Sequence, residues 1–90
     1  MINNYLNEFL GTLFFTYVIL VIKEPVAIAL ALLTAILASK SGTTAHFNPA
    51  VSVAVSSKSR MPMEKLMYLI FSQVAGALVA VELTKTNLGF

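Results

Sequence analysis

Glu8, His46, Asn48 and Gln73 are polar side chains set in apolar surroundings, and they are the candidates for chemistry. A carboxylate in an apolar run can relay a proton or accept backbone N–H bonds. A lone imidazole can act as a base, ligate a metal or brace a loop. The chain has one His and no Cys. It therefore has no thiolate metal site and no disulfide framework, and its single His makes a poor metal ligand. No metal or cofactor is expected. Asn48 opens the triplet Asn48-Pro49-Ala50. Asn is a strong helix N-cap, and Pro suits the first helical position, where its missing N–H costs nothing. A helix start carries about half a positive charge. At membrane depth such a start becomes an electrostatic device.

The elements around these residues are membrane-grade. Of 90 residues, 58% are hydrophobic and 11% are charged, where a soluble domain carries about 25% charged. A water-soluble fold of this size could not hide so much apolar surface. The net charge of +2 comes from a few lysines at segment ends. No basic cluster is interleaved with exposed aromatics, so a nucleic-acid partner is not expected. The first Lys is Lys23, after the first apolar run, so a cleaved signal peptide is not expected either.

Spanning segments are expected over 5–22, 25–40 and 64–83. The first would be about 27 Å long, against a hydrocarbon core of about 30 Å. Lys23-Glu24-Pro25 is a polar break, and Pro25 can open the next helix. Residues 41–57 are expected to hold a loop and a short helix. That helix runs from Pro49 to Val55 or Ser57, two turns and no more, and Ser56 to Arg60 reads as a loop outside the membrane. Pro62 and Glu64 fit the first turn of the last helix. Gln73, Gly76, Ala77 and Ala80 share one side of it. Gly11 and Gly76-Ala77 read as packing residues that let helices approach. With this topology Lys40, Lys58, Arg60 and Lys65 share the side of the N-terminus, and Lys23 and Lys85 fall opposite. The positive-inside bias is weak and places the N-terminus in the cytoplasm.

The nonamer His46-Phe47-Asn48-Pro49-Ala50-Val51-Ser52-Val53-Ala54 resembles the signature of the major intrinsic proteins, the aquaporins and aquaglyceroporins. Glu8-Phe9-Leu10-Gly11-Thr12 is similar to that family's first helix, and Gln73-x-x-Gly76-Ala77 to its third. The resemblance runs from about Asn7 to Ala80. It departs from the family pattern just before the nonamer, where Thr43-Thr44 stand in place of a Ser-Gly pair; Ser41-Gly42 can be that pair only with two extra loop residues. A family member also carries two such halves, inverted in the membrane, and this chain resembles the N-terminal one.

The resemblance implies an all-α fold: half of an aquaporin-like bundle, with three spanning helices and one re-entrant half-helix. It implies that Thr44, Ala45, His46, Asn48, Pro49, Ala50 and Val51 line a pore. Carbonyls of Thr44, Ala45 and His46 would form a ladder of acceptors, and the Asn48 amide would donate to passing water. Glu8 and Gln73 would support the loop, and His46 would brace it. The family's narrow filter has an Arg after its second Asn-Pro-Ala; here Val51 follows the triplet. An ungapped alignment puts the second-helix filter position at Ile28, apolar where water-selective members carry an aromatic. That tilts the reading towards glycerol-like solutes beside water. Expected partners are the lipid bilayer, water or a small neutral solute, and a second copy in an antiparallel homodimer, within a larger ring of pores if dimers assemble further. The expected function is passive conduction, not enzymatic catalysis. The alternative is a non-conducting membrane subunit or fragment that pairs with full-length relatives.

Overall fold

The structure, a computed structural model, describes residues 3–85. Four helices follow one another: α1 (Asn4–Val21), α2 (Pro25–Ala38), α3 (Pro49–Ser59) and α4 (Met63–Thr84). The described residues contain no strand. Local chemistry sets the helix ends. Asn3 Oδ1 accepts the Leu6 N–H at 2.8 Å and caps α1. Lys23 turns the chain with φ 59°. The Glu24 carboxylate then accepts the N–H groups of Val26 at 3.0 Å and Ala27 at 2.9 Å, with Pro25 in the first turn of α2. α2 stops at Ala38 rather than Lys40. Ser39 is extended, with ψ 138°, and its hydroxyl donates to Ala35 O at 2.8 Å.

α3 differs from expectation. It has 11 residues, about three turns, and Ser56 to Ser59 are helical rather than loop. The Ser59 hydroxyl donates to Val55 O at 2.7 Å, so it satisfies itself within the helix. The helix ends at Arg60, which adopts the left-handed conformation with φ 58°. The N–H groups of Arg60 and Met61 both reach Ser56 O. Polar composition alone does not end a helix; a left-handed residue that turns the chain does.

α1 packs against α2 on one side and α4 on the other, and α3 packs on α4. The buried seam of α4 is Leu66, Leu69, Gln73, Gly76 and Ala80, spaced three and four apart so that they form one stripe. At Gly76 the backbones of α4 and α1 meet, since a Cβ there would overlap Phe9 O. Tyr5 and Tyr68 meet edge to face, with ring centroids 5.6 Å apart.

The polarity is inverted relative to a soluble protein. Asn7, Glu8, Thr12, Ser52 and Gln73 are buried, while Phe71 is 74% and Leu37 73% exposed. Such an exterior is stable against lipid and not against water. α1 and α4 are long and apolar enough to cross a bilayer; α2 is apolar and shorter. The chain is an all-helical, multi-pass integral membrane protein.

Candidate functional site

The site is built on the first two turns of α1. Asn4, Asn7 and Glu8 are spaced three and four residues apart, so they project from one face. Each meets the non-helical segment between α2 and α3. Asn4 Oδ1 accepts the Thr44 N–H at 2.8 Å. Asn7 Nδ2 donates to Thr44 O at 2.7 Å and to Ser39 Oγ at 2.9 Å. Glu8 has no exposed surface. Its Oε2 accepts the His46 N–H at 2.9 Å, and its Oε1 accepts the Phe47 N–H at 2.7 Å. A third donor, Gln73 Nε2, reaches Oε1 from α4 at 3.1 Å. These bonds satisfy backbone groups that belong to no helix, which is what irregular backbone inside a membrane protein requires.

The segment enters through a turn. Thr43 N–H donates to Lys40 O at 3.0 Å, and Gly42 occupies the left-handed region with φ 88°. Phe47 is also left-handed, with φ 56°, a conformation that costs an ordinary residue about 1–2 kcal/mol. Two contacts offset that cost: its N–H bond to Glu8 and its buried ring, 3% exposed, seated on Gly11. The left-handed residue reverses the chain and aims Asn48 into the start of α3. Asn48 Oδ1 accepts the Ala50 N–H at 2.8 Å, capping the helix, and Pro49 takes the first position.

Behind this start lies a second set of bonds. Ser52 is fully buried. Its Oγ accepts from Gln73 Nε2 at 2.8 Å and lies 2.7 Å from His46 Nδ1. Ser52 Oγ thus joins α4 to the His46 ring, and the imidazole tautomer sets which of the two donates between them. A serine beside a histidine invites a nucleophile-and-base reading. The geometry does not support it: Ser52 has no exposed surface, and Glu8 bonds the backbone of His46, not its ring.

Several candidate residues come together here. Thr44, Ala45 and His46 are half-buried, while Asn48, Pro49, Ala50 and Val51 are exposed at the start of α3. The Thr44 carbonyl is already engaged by Asn7, which leaves it one lone pair. Ile28 stands apart: it sits half-buried on α2, which packs against α1 and not against α3. Sequence reading passed over Asn4, Asn7, Ser39 and Ser52. A signal for the first two was present in the spacing Asn4-x-x-Asn7-Glu8. Ser52 stands four residues after Asn48, one turn along the same helix. Among the described residues no cluster of His, Cys, Asp or Glu could hold a metal.

Comparison with curated proteins and with solved structures returns no match. Residues 1–88 match one protein-family model, described as MIP, major intrinsic protein. Members of that family are non-catalytic channels. With the match running over nearly the whole chain, this protein belongs to the major intrinsic protein family.

Proposed function

We propose that the chain is one half of a passive channel for water and small neutral solutes such as glycerol, completed by an inverted second copy. In this reading α1, α2 and α4 span the bilayer, and residues 39–48 re-enter it before α3 runs back out. The observation that carries it is the non-helical segment from Thr44 to Asn48. Three side chains of α1 satisfy its backbone, and it delivers a capped helix start beside the bundle. Non-helical backbone is tolerated at membrane depth where it lines a cavity or is buried in protein. A pore gives it a purpose.

Thr44, Ala45, His46, Asn48, Pro49, Ala50 and Val51 would then line the path, with Ile28 at the second-helix filter position. The Asn48 oxygen is occupied by the cap, so its amide nitrogen is the donor offered to a passing oxygen. Two such amides from inverted copies would turn a water with its hydrogens away from both. That orientation interrupts a proton wire, and the positive helix ends oppose cations. Glu8 and Gln73 would keep the segment in register.

The test is stopped-flow osmotic shrinkage of liposomes holding only this chain. Shrinkage several-fold faster than that of empty liposomes is expected, and mercurials should leave it unchanged because the chain has no Cys. Equal rates with folded protein incorporated would overturn the reading. Pore completion by an inverted copy makes a separate prediction. The charge bias of Lys40, Lys58, Arg60 and Lys65 against Lys23 and Lys85 is small, and positive charge sets insertion. Topology reporters at the C-terminus should give signals on both sides of the membrane. Two or three lysines added after Leu83 should shift the ratio. One fixed orientation with conduction retained would rule out the inverted homodimer.

A further inference from the structure

Charge is divided unevenly between the two ends of the bundle. The Tyr5–Tyr68 ring contact brings the starts of α1 and α4 together. The bond from Asn7 Nδ2 to Ser39 Oγ brings the end of α2 to the same level. Residues 60–62 alone separate α3 from α4, so α3 also finishes at this end. Lys40, Lys58, Arg60 and Lys65 therefore share it with one carboxylate, Glu64. At the opposite end Lys23 and Lys85 stand with Glu24 and Glu82. Among the described residues the one ion pair lies there, Lys85 Nζ to Glu82 Oε2 at 3.1 Å. The four cations of the first end have no carboxylate partner among the described residues. Tyrosines mark the level of the lipid headgroups in membrane proteins, and Tyr68, 52% exposed, stands one turn from Lys65.

The last two turns of α3 set an apolar wall below these charges. A groove of about 460 Å³ is lined by Ala54, Val55, Lys58 and Ser59. Ala54 and Lys58 are four residues apart, as are Val55 and Ser59, so each apolar residue stands one turn below a polar one on the same face. The groove is thus apolar on its inner turn and carries an ammonium on its outer turn. The backbone gives an anion nothing here. The N–H groups of Arg60 and Met61 are both spent on Ser56 O, and a helix C-terminus is itself negative. The Ser59 hydroxyl donates to Val55 O. Recognition of an anion at this end falls to the side chains of Lys58, Arg60 and Lys65.

We propose that this end of the bundle binds an anionic phospholipid, with an acyl chain along Ala54 and Val55 and its headgroup phosphate among Lys58, Arg60 and Lys65. The occupant is amphiphilic because the groove is. A soluble phosphate meets the same cations but leaves the apolar wall uncovered. A zwitterionic lipid covers the wall but brings its own cation to the lysines. An anionic lipid satisfies both. Each Lys or Arg held near an anionic membrane surface is worth about fivefold in binding, and the Arg60 guanidinium can meet a phosphate with two parallel hydrogen bonds. The proposal rests on α1 and α4 crossing the bilayer and not on conduction. In either orientation this end meets one leaflet.

The test is electron spin resonance of the full-length chain in phosphatidylcholine liposomes, with chain-labelled phosphatidylglycerol or phosphatidylcholine as the probe. The motionally restricted fraction reports lipid held at the protein surface. Phosphatidylglycerol should be favoured several-fold, and equal retention of the two lipids would overturn the proposal. Lys58→Gln, Arg60→Gln and Lys65→Gln together should remove most of the preference, while Lys23→Gln with Lys85→Gln should leave it. Equal losses from both sets would overturn the site, since net charge alone would then set the preference. If the triple variant does not fold, Lys58→Gln alone, at an exposed helix end, should still lower the preference, and no loss would count against the site. Ala54→Phe fills the groove without changing charge and should lower the preference by itself; an unchanged value would overturn the groove's part. Inorganic phosphate at constant ionic strength should not displace the labelled lipid. Displacement would identify a soluble-phosphate site instead. The chain has no Cys, so Ala54→Cys gives a single reporter thiol, which should stay unpaired under mild oxidant. A disulfide between copies would place a second copy in the groove and overturn the proposal.

Discussion

Glu8→Ala should leave the protein unable to hold the segment before α3, with osmotic flux falling to the level of empty liposomes. The carboxylate accepts the N–H groups of His46 and Phe47 and one from Gln73. Alanine leaves three donors with no acceptor. Each buried orphan costs about 1–3 kcal/mol by measurements in soluble proteins, and lipid offers no replacement water. Their sum is comparable to the whole stability of a small domain, about 5–15 kcal/mol. Phe47 would also lose one of the two contacts that hold it in its left-handed conformation.

Glu8→Gln separates the roles this carboxylate could have. Glutamine keeps one acceptor oxygen, which can serve the pair at Oε1, Phe47 N–H and Gln73. Its NH₂ then faces the His46 N–H, donor against donor. Glu8→Gln should therefore be weaker than wild type but well above Glu8→Ala, both in thermal unfolding in detergent and in osmotic flux. If both variants assemble normally and change only the pH dependence of transport, Glu8 acts on protons and not on the loop.

Legibility from sequence tracked the range of the interaction. Helix starts depend on a cap, a proline and the next few residues, so the starts at Pro25 and Asn48-Pro49 could be read locally, while the caps of Asn3 and Glu24 were seen only in their bonds. The end of α3 could not, because it depends on Arg60 entering the left-handed region, which no residue type there announces. Glu8 and Gln73 drew attention because charge and amide are rare in an apolar helix. Asn4 and Asn7 did not, because two asparagines near a chain end look like surface residues. Only their distance-spanning bonds to Thr44, 40 and 37 residues away, show what they do. The role of Gly11 was half-legible in the same way. Small size predicted a close approach, but the partner is the Phe47 ring from the irregular segment, not another helix. The apolar exterior was legible from composition. Which polar groups the interior gathers was not, because that depends on the register between α1 and α4.

That register is tested most sharply at Gly76. A Cβ there would overlap the carbonyl oxygen of Phe9 and lie 3.2 Å from Leu13 N. Both are helix backbone, which cannot swing aside as a side chain can. Gly76→Ala must therefore push α4 away from α1. Overpacking of this kind costs about 1–3 kcal/mol, and here the position adds to it. Gly76 is one turn from Gln73, and Phe9 is next to Glu8. Any separation lengthens the 3.1 Å bond between Gln73 and Glu8, which joins α4 to the irregular segment. Gly76→Ala should therefore lower the unfolding temperature and reduce flux together, and Gly76→Val should abolish both assembly and flux. Gly42→Ala is the control. Gly42 has φ 88° and nothing within 4 Å of a new Cβ, so the change carries only backbone strain of about 1–2 kcal/mol at an exposed turn. It should cost stability without touching the Gln73 bond, and flux per folded molecule should stay near wild type. If Gly42→Ala and Gly76→Ala impaired flux equally at matched stability, the contact between α1 and α4 would not be what positions the segment.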